Sequence, residues 1–136
     1  MSTTLAVIDI GSNSIRMVLG QLLGDGKVEV LEKFRKAVRL GQDTFTQGRL
    51  SREAIRTIIS ILREYQRTLK LYNVEHIRIV ATSAVREAGN ADILIDRVLT
   101  ATGLGIEIID VSEESRLTVL AVQNSLGDFS SRISKN

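Results

Sequence analysis

At 136 residues, with 43% hydrophobic and 25% charged content, the chain is the size of one ordinary domain and carries enough apolar residues for a single packed core. Eighteen Lys and Arg against sixteen Asp and Glu leave a formal charge of only +2; the signs are interspersed and the three Phe and two Tyr are scattered, which argues against a nucleic-acid partner. The absence of cysteine excludes disulfides and thiolate metal sites, and the lone His76 cannot build a histidine cluster, so any metal must be a hard ion held by oxygens.

The N-terminus "MSTTLAVIDI" lacks the basic flank and cleavage site of a signal peptide, and no run approaches the ~18 apolar residues of a membrane helix. A cytoplasmic protein with no membrane partner is the expectation. "TLAVIDI" and "SIRMVLGQLL" read as two antiparallel strands around a tight small-residue connection. "GDG" at Gly24 to Gly26 marks a hairpin turn, and "KVEVLEKFRKAVRL" then alternates at Val28, Val30, Phe34 and Val38, which predicts a third strand. "GQDTFTQGRLS" reads as a loop ending at Ser51, the expected cap of a long helix carrying Ile55, Ile58, Ile59, Leu62 and Leu69 at helical spacing. "HIRIVAT" predicts a strand, with His76 at its start read as a surface histidine. "ADILIDRVLTAT" predicts a helix capped by Asn90 and ended by Gly103 and Gly105. "IEIIDV" predicts a strand and "SEESRLTVLAVQNS" a helix capped by Ser112. The order βββαβαβα implies an α/β domain whose mixed sheet joins an antiparallel meander to a parallel crossover part. One domain over residues 1–126 and a polar tail over 127–136 are expected.

Three stretches carry candidate chemistry. "DIGSNSIR" joins Asp9 to a turn of small residues whose backbone N–H groups, with the Ser12 and Ser14 hydroxyls and the Asn13 amide, could converge on phosphate oxygens, while Asp9 could hold a divalent cation. The same residue types also make an ordinary hairpin turn, which on spacing alone is the commoner use. "ATSAVREAGNAD" delivers Thr82 and Ser83 at a strand's carboxyl end with Arg86 close behind, and an arginine fork matches two phosphate oxygens; a solvated loop arginine is the plain alternative. "SEESR" places Glu113 and Glu114 in the first turn of a helix, where they complement its positive end without any function, or where one could act as a general base. Arg56, Arg63 and Arg67 recur along the long helix on a face that is most simply solvated.

Taken in order, "VIDIGSNSIRMVL", "ATSAVREAGNAD" and "IEIIDVSEESRLTVLAV" resemble the exopolyphosphatase and guanosine pentaphosphate phosphatase family, and the likeness spans nearly the whole chain. The resemblance implies a ribonuclease H-like, actin-like ATPase fold. It implies that Gly11, Ser12, Asn13 and Ser14 wrap a phosphate, that Arg86 binds its oxygens, that Asp9 lies near Mg²⁺ or another divalent cation, and that Glu114 activates water. Glu113 would be a less critical neighbour, and Ser115 stands where the family usually has alanine. The implied substrates are inorganic polyphosphate or guanosine pentaphosphate.

One departure is large. The family's second lobe opens with an Asp-x-Gly-Gly-Gly-Ser phosphate loop, and no such sequence occurs here. The expectation is an N-terminal lobe whose principal partner is the missing second lobe, with self-association as a homodimer left open and little activity alone. A non-hydrolytic sensor of phosphorylated nucleotides or polyphosphate, and a sugar-kinase-like ATPase lobe, are the rival readings.

Overall fold

The computed structural model describes residues 3–109. Three apolar or alternating segments form the expected meander: β1 (Thr3–Ile10), β2 (Ser14–Leu22) and β3 (Val28–Ala37). They are followed by α1 (Leu40–Gln47), α2 (Arg52–Leu71), β4 (His76–Ala81), α3 (Ser83–Arg86), α4 (Ala91–Thr102) and β5 (Ile106–Ile108). The five strands make one sheet in the order β3-β2-β1-β4-β5, antiparallel across β3, β2 and β1 and parallel across β1, β4 and β5. This is the mixed sheet expected from the element order. The helix predicted from Ser112 and the tail over 127–136 lie outside the described residues.

The two faces of the sheet follow from the period of two along each strand. Ala6, Ile8 and Ile10 of β1, with Ile15, Met17 and Leu19 of β2, join the main core beneath α2 and α4. Helix α2 contributes Ile55, Ile58, Ile61, Leu62, Tyr65 and Leu69 to it, and burying each such side chain is worth about 1.5–3 kcal/mol. Leu5, Val7 and Val18 point the other way into a smaller cluster, and Asp9 continues their row. The Ser51 hydroxyl accepts from the Ala54 N–H at 3.0 Å, as predicted for the cap of α2. Gly103, at φ +77°, ends α4 in the left-handed conformation.

Three expectations need correction. The segment read as a loop contains α1. Its sequence has no helical stripe and no capping side chain; tertiary bonds hold it instead, with the Leu40 and Gly41 N–H groups donating to the Ser12 carbonyl and the Thr44 hydroxyl to the Ala84 carbonyl. The alternation expected along β3 does not hold one face throughout: an irregularity in the β2–β3 pairing at Leu19/Gly20 interrupts it, and Val30 is 44% exposed. Asn90 stands at the start of α4 without capping it: its Oδ1 accepts from the Leu50 N–H and its Nδ2 donates to the Leu50 carbonyl, both at 2.9 Å. His76 stands at the start of β4, half-buried.

The carboxyl ends of β1, β3, β4 and β5 share one end of the sheet, since all four run the same way. Helix α2 ends at the opposite side, where the Thr4 hydroxyl donates to the Asn73 carbonyl just beyond it, so its N-terminus lies near the strands' carboxyl ends. Helix α4 runs the same way as α2, because its last residue, Thr102, accepts from Gln66 late in α2.

Candidate phosphate site

The connection between β1 and β2 is three residues, Gly11 to Asn13, closed by the Gly11 N–H donating to the Ser14 carbonyl at 2.9 Å. Its carbonyls are held from outside. The Val38 N–H donates to the Asn13 carbonyl at 2.9 Å, and the Leu40 and Gly41 N–H groups donate to the Ser12 carbonyl at 3.0 and 3.2 Å. Among the described residues, neither the Ser12 nor the Asn13 N–H donates to a backbone carbonyl. Two backbone donors are thereby left uncommitted on a turn whose acceptors are fixed, the arrangement a phosphate oxygen requires. Gly11 has no left-handed φ; its need for glycine is spatial, because a Cβ there would stand 3.2 Å from the Ser14 carbonyl oxygen.

Behind the turn, the register sets Asp9 opposite Arg16, and Arg16 donates to Asp9 Oδ2 at 2.7 Å. This charge-assisted bond fixes a buried carboxylate at the base of the turn. Arg16 is not among the candidates that the sequence offers; it falls opposite Asp9 because the register pairs Ile10 with Ile15, one residue beyond Ser14. The Tyr65 hydroxyl, on α2, donates to the Ile15 carbonyl at 2.6 Å and anchors β2 one residue beyond Ser14. Burial, and secondarily the neighbouring Glu64 charge, push the Tyr65 hydroxyl up to about 12.

Beside the turn, β4 ends at Ala81 and the chain enters α3. The Ser83 hydroxyl lies 3.3 Å from that of Ser12, which brings the segment bearing Arg86 against the turn. Arg86 is the last residue of α3 and is exposed. Thr82 is spent on structure: it is buried and its hydroxyl donates to the Ile10 carbonyl. Glu113, Glu114 and Arg116 lie outside the described residues.

For a divalent cation the described donors are Asp9 and the surrounding hydroxyls and amide; among the described residues no group of three His, Asp or Glu converges. That donor set fits Mg²⁺, which is commonly held by one or two carboxylates together with substrate phosphates and water. It does not fit a protein-enclosed transition-metal centre.

A mixed five-stranded sheet with a tethered small-residue turn at the carboxyl end of its first strand defines an α/β domain of the actin-like kind. Residues 21–133 match the model of the Ppx/GppA phosphatase family, and the chain belongs to that family. It is 30% identical over 129 residues to exopolyphosphatase 1 of Mycobacterium leprae, covering 95% of this chain and 38% of the relative. It is 32% identical over 133 residues to a guanosine-5'-triphosphate,3'-diphosphate pyrophosphatase of Aliivibrio fischeri, covering 98% of this chain and 27% of that one. A crystal structure of the Aquifex aeolicus Ppx/GppA family member superposes with a TM-score of 0.80 at 35% identity, over 90% of this chain and 40% of that one. The chain thus spans well under half the length of the relatives it matches.

Proposed function

We propose that this domain is the N-terminal lobe of a phosphoanhydride hydrolase that releases terminal orthophosphate from inorganic polyphosphate, guanosine pentaphosphate or both. The observation that carries the reading is the Gly11–Asn13 turn, with its carbonyls tethered and the Ser12 and Asn13 N–H groups uncommitted. The names of the relatives, exopolyphosphatase and guanosine-5'-triphosphate,3'-diphosphate pyrophosphatase, support it.

In this reading the Ser12 and Asn13 N–H groups and the hydroxyls of Ser12 and Ser14 hold the terminal phosphoryl oxygens, and Gly11 keeps the turn open for their approach. Arg86 offsets the charge that gathers on those oxygens as the bond to the leaving phosphate breaks. Glu114 accepts a proton from the water whose oxygen attacks phosphorus. Asp9 would hold Mg²⁺, whose contribution when bound is to neutralise phosphate charge. The second wall of the cleft belongs to a second lobe, which completes the enclosure of the phosphate, and the lobe proposed here covers residues 1–126.

The test is Glu114→Gln in the two-lobed protein. Phosphate release from polyphosphate should fall by about 10²–10⁴ while substrate binding persists, as expected for loss of a general base. Unchanged turnover would remove Glu114 from the mechanism. Binding without any release by the unsubstituted protein would make the domain a sensor instead.

A further inference from the structure

A cavity of about 430 Å³ opens between the 48–51 segment and the first turns of α2 and α4. Arg49, Arg52 and Arg97 line it together with Gln47, Ser51 and Asn90, and no Asp or Glu is among its lining residues. None of the three arginines forms an ion pair among the described residues, where the pairs are Asp9–Arg16, Lys36–Glu64 and Arg78–Glu107. Glu53 and Asp92, in the first turns of α2 and α4, and Asp96 beside Arg97 leave them unpaired. Three guanidinium groups around one cavity repel each other, and an oxyanion would relieve that repulsion while filling their planar donor forks.

The arginines also rise from a fixed frame. The Gly89 N–H donates to the Gly48 carbonyl at 2.8 Å, and the Asn90 amide group bonds both the N–H and the carbonyl of Leu50. Asn90 therefore forgoes the cap of α4 in order to rivet the segment that carries Arg49. Arg52 opens α2 and Arg97 lies in the second turn of α4, so three elements that cannot shift independently present the three charges. The volume falls within the range of small-molecule sites, but the lining is cationic.

We propose that this cavity is a second anion site, which binds a phosphoryl group of a condensed phosphate or of a phosphate-bearing small molecule. It stands apart from the turn at Gly11–Asn13 and does not depend on that turn binding phosphate. Both sites lie at the end of the sheet where β1 and β4 finish and α2 and α4 begin, and Asn90 is four residues from Arg86, so a single polyanionic chain could be engaged by both.

The test is calorimetric titration of the chain with inorganic tripolyphosphate. Combined Arg49→Gln, Arg52→Gln and Arg97→Gln substitution should weaken one class of binding at least ten-fold, with unchanged far-ultraviolet circular dichroism. The control Arg56→Gln, Arg63→Gln and Arg67→Gln, on α2 but outside the cavity, should bind like the unsubstituted chain. Equal binding by the cavity variant, or an equal loss in the control, would overturn the proposal. If Arg86→Gln has no effect while the cavity variant loses binding, the reading of the turn fails and the cavity site stands. Polyphosphates of increasing length distinguish the sources. Affinity that rises with length only when the cavity arginines are present indicates one chain spanning both sites; length-independent binding indicates a separate small ligand.

Discussion

The meander contains two turns built from the same kinds of residue, and only one of them is held by distant segments. At Gly24–Gly26 the turn is closed by local bonds: the Leu23 N–H donates to the Lys27 carbonyl, the Gly26 N–H to the Leu23 carbonyl, and the Asp25 side chain accepts from the Lys27 N–H. Gly26 takes φ +85°, and a Cβ on either glycine would meet nothing within 4 Å. At Gly11–Asn13 the turn has no left-handed glycine, its carbonyls are held by residues 38, 40 and 41, and Ser12 touches Ser83, 71 residues away. Turn residues reverse a chain in either case. What distinguishes the second turn is that distant segments take its acceptors and leave its donors, so the geometry of those donors is set by the whole domain.

The largest effect should come from Arg86→Gln, which would weaken inorganic phosphate binding by about 10–100-fold, as for loss of a charged hydrogen bond worth about 1.5–3 kcal/mol. Titration calorimetry of the variant checks this, and full retention of binding would detach the arginine from the turn. Tyr65→Phe removes the anchor behind the turn, its hydrogen bond to the Ile15 carbonyl, at a cost of about 0.5–1.5 kcal/mol in urea unfolding.

That variant also carries a pH signature. The folded state raises the Tyr65 hydroxyl from 10.0 to about 12, so the folded protein retains a proton that the unfolded chain has begun to lose. Its contribution to stability is complete below pH 10.0 and fades as pH rises through about 12. Tyr65→Phe should flatten the stability profile across that window, and an unaltered profile would place the alkaline loss elsewhere.

The smaller effects separate the two glycines. Gly26→Ala forces a side chain into the left-handed region and should cost about 1–2 kcal/mol of stability with no change in phosphate affinity. Gly11→Ala requires the Ser14 carbonyl to give way and should cost only about 1 kcal/mol, yet lower phosphate affinity several-fold. Parallel unfolding and binding curves test the pair; if the binding loss followed Gly26, the assignment of the two turns would be reversed.

Much of this was legible in the chain. The meander, α2 with its Ser51 cap, and β4 follow from apolar periodicity and turn residues, which act locally. Helix α1 was not legible, because "LGQDTFTQ" is held by bonds to Ser12 and Ala84 that no local pattern announces. Asn90 was misread for the same reason: asparagine before a helix is ordinarily a cap, and its actual partner, Leu50, is 40 residues away. For the site, the residue types in "DIGSNSIR" allowed two readings, and spacing could not choose between them. The distinguishing bonds come from the β3–α1 junction, and the Asp9–Arg16 pair appears only once strand register is counted. The cationic cavity was invisible in sequence because its arginines come from three separate elements.

If the Ser12 and Asn13 N–H groups are phosphate donors and the similar turn at Gly24–Gly26 is not, phosphate will perturb the first turn alone. Amide chemical shifts of the isotopically labelled chain, followed during titration with inorganic phosphate, test it most directly. Saturable shifts are expected at Ser12 and Asn13 and none at Gly24, Asp25 and Gly26. No shift at Ser12 and Asn13, or equal shifts at both turns, would contradict it.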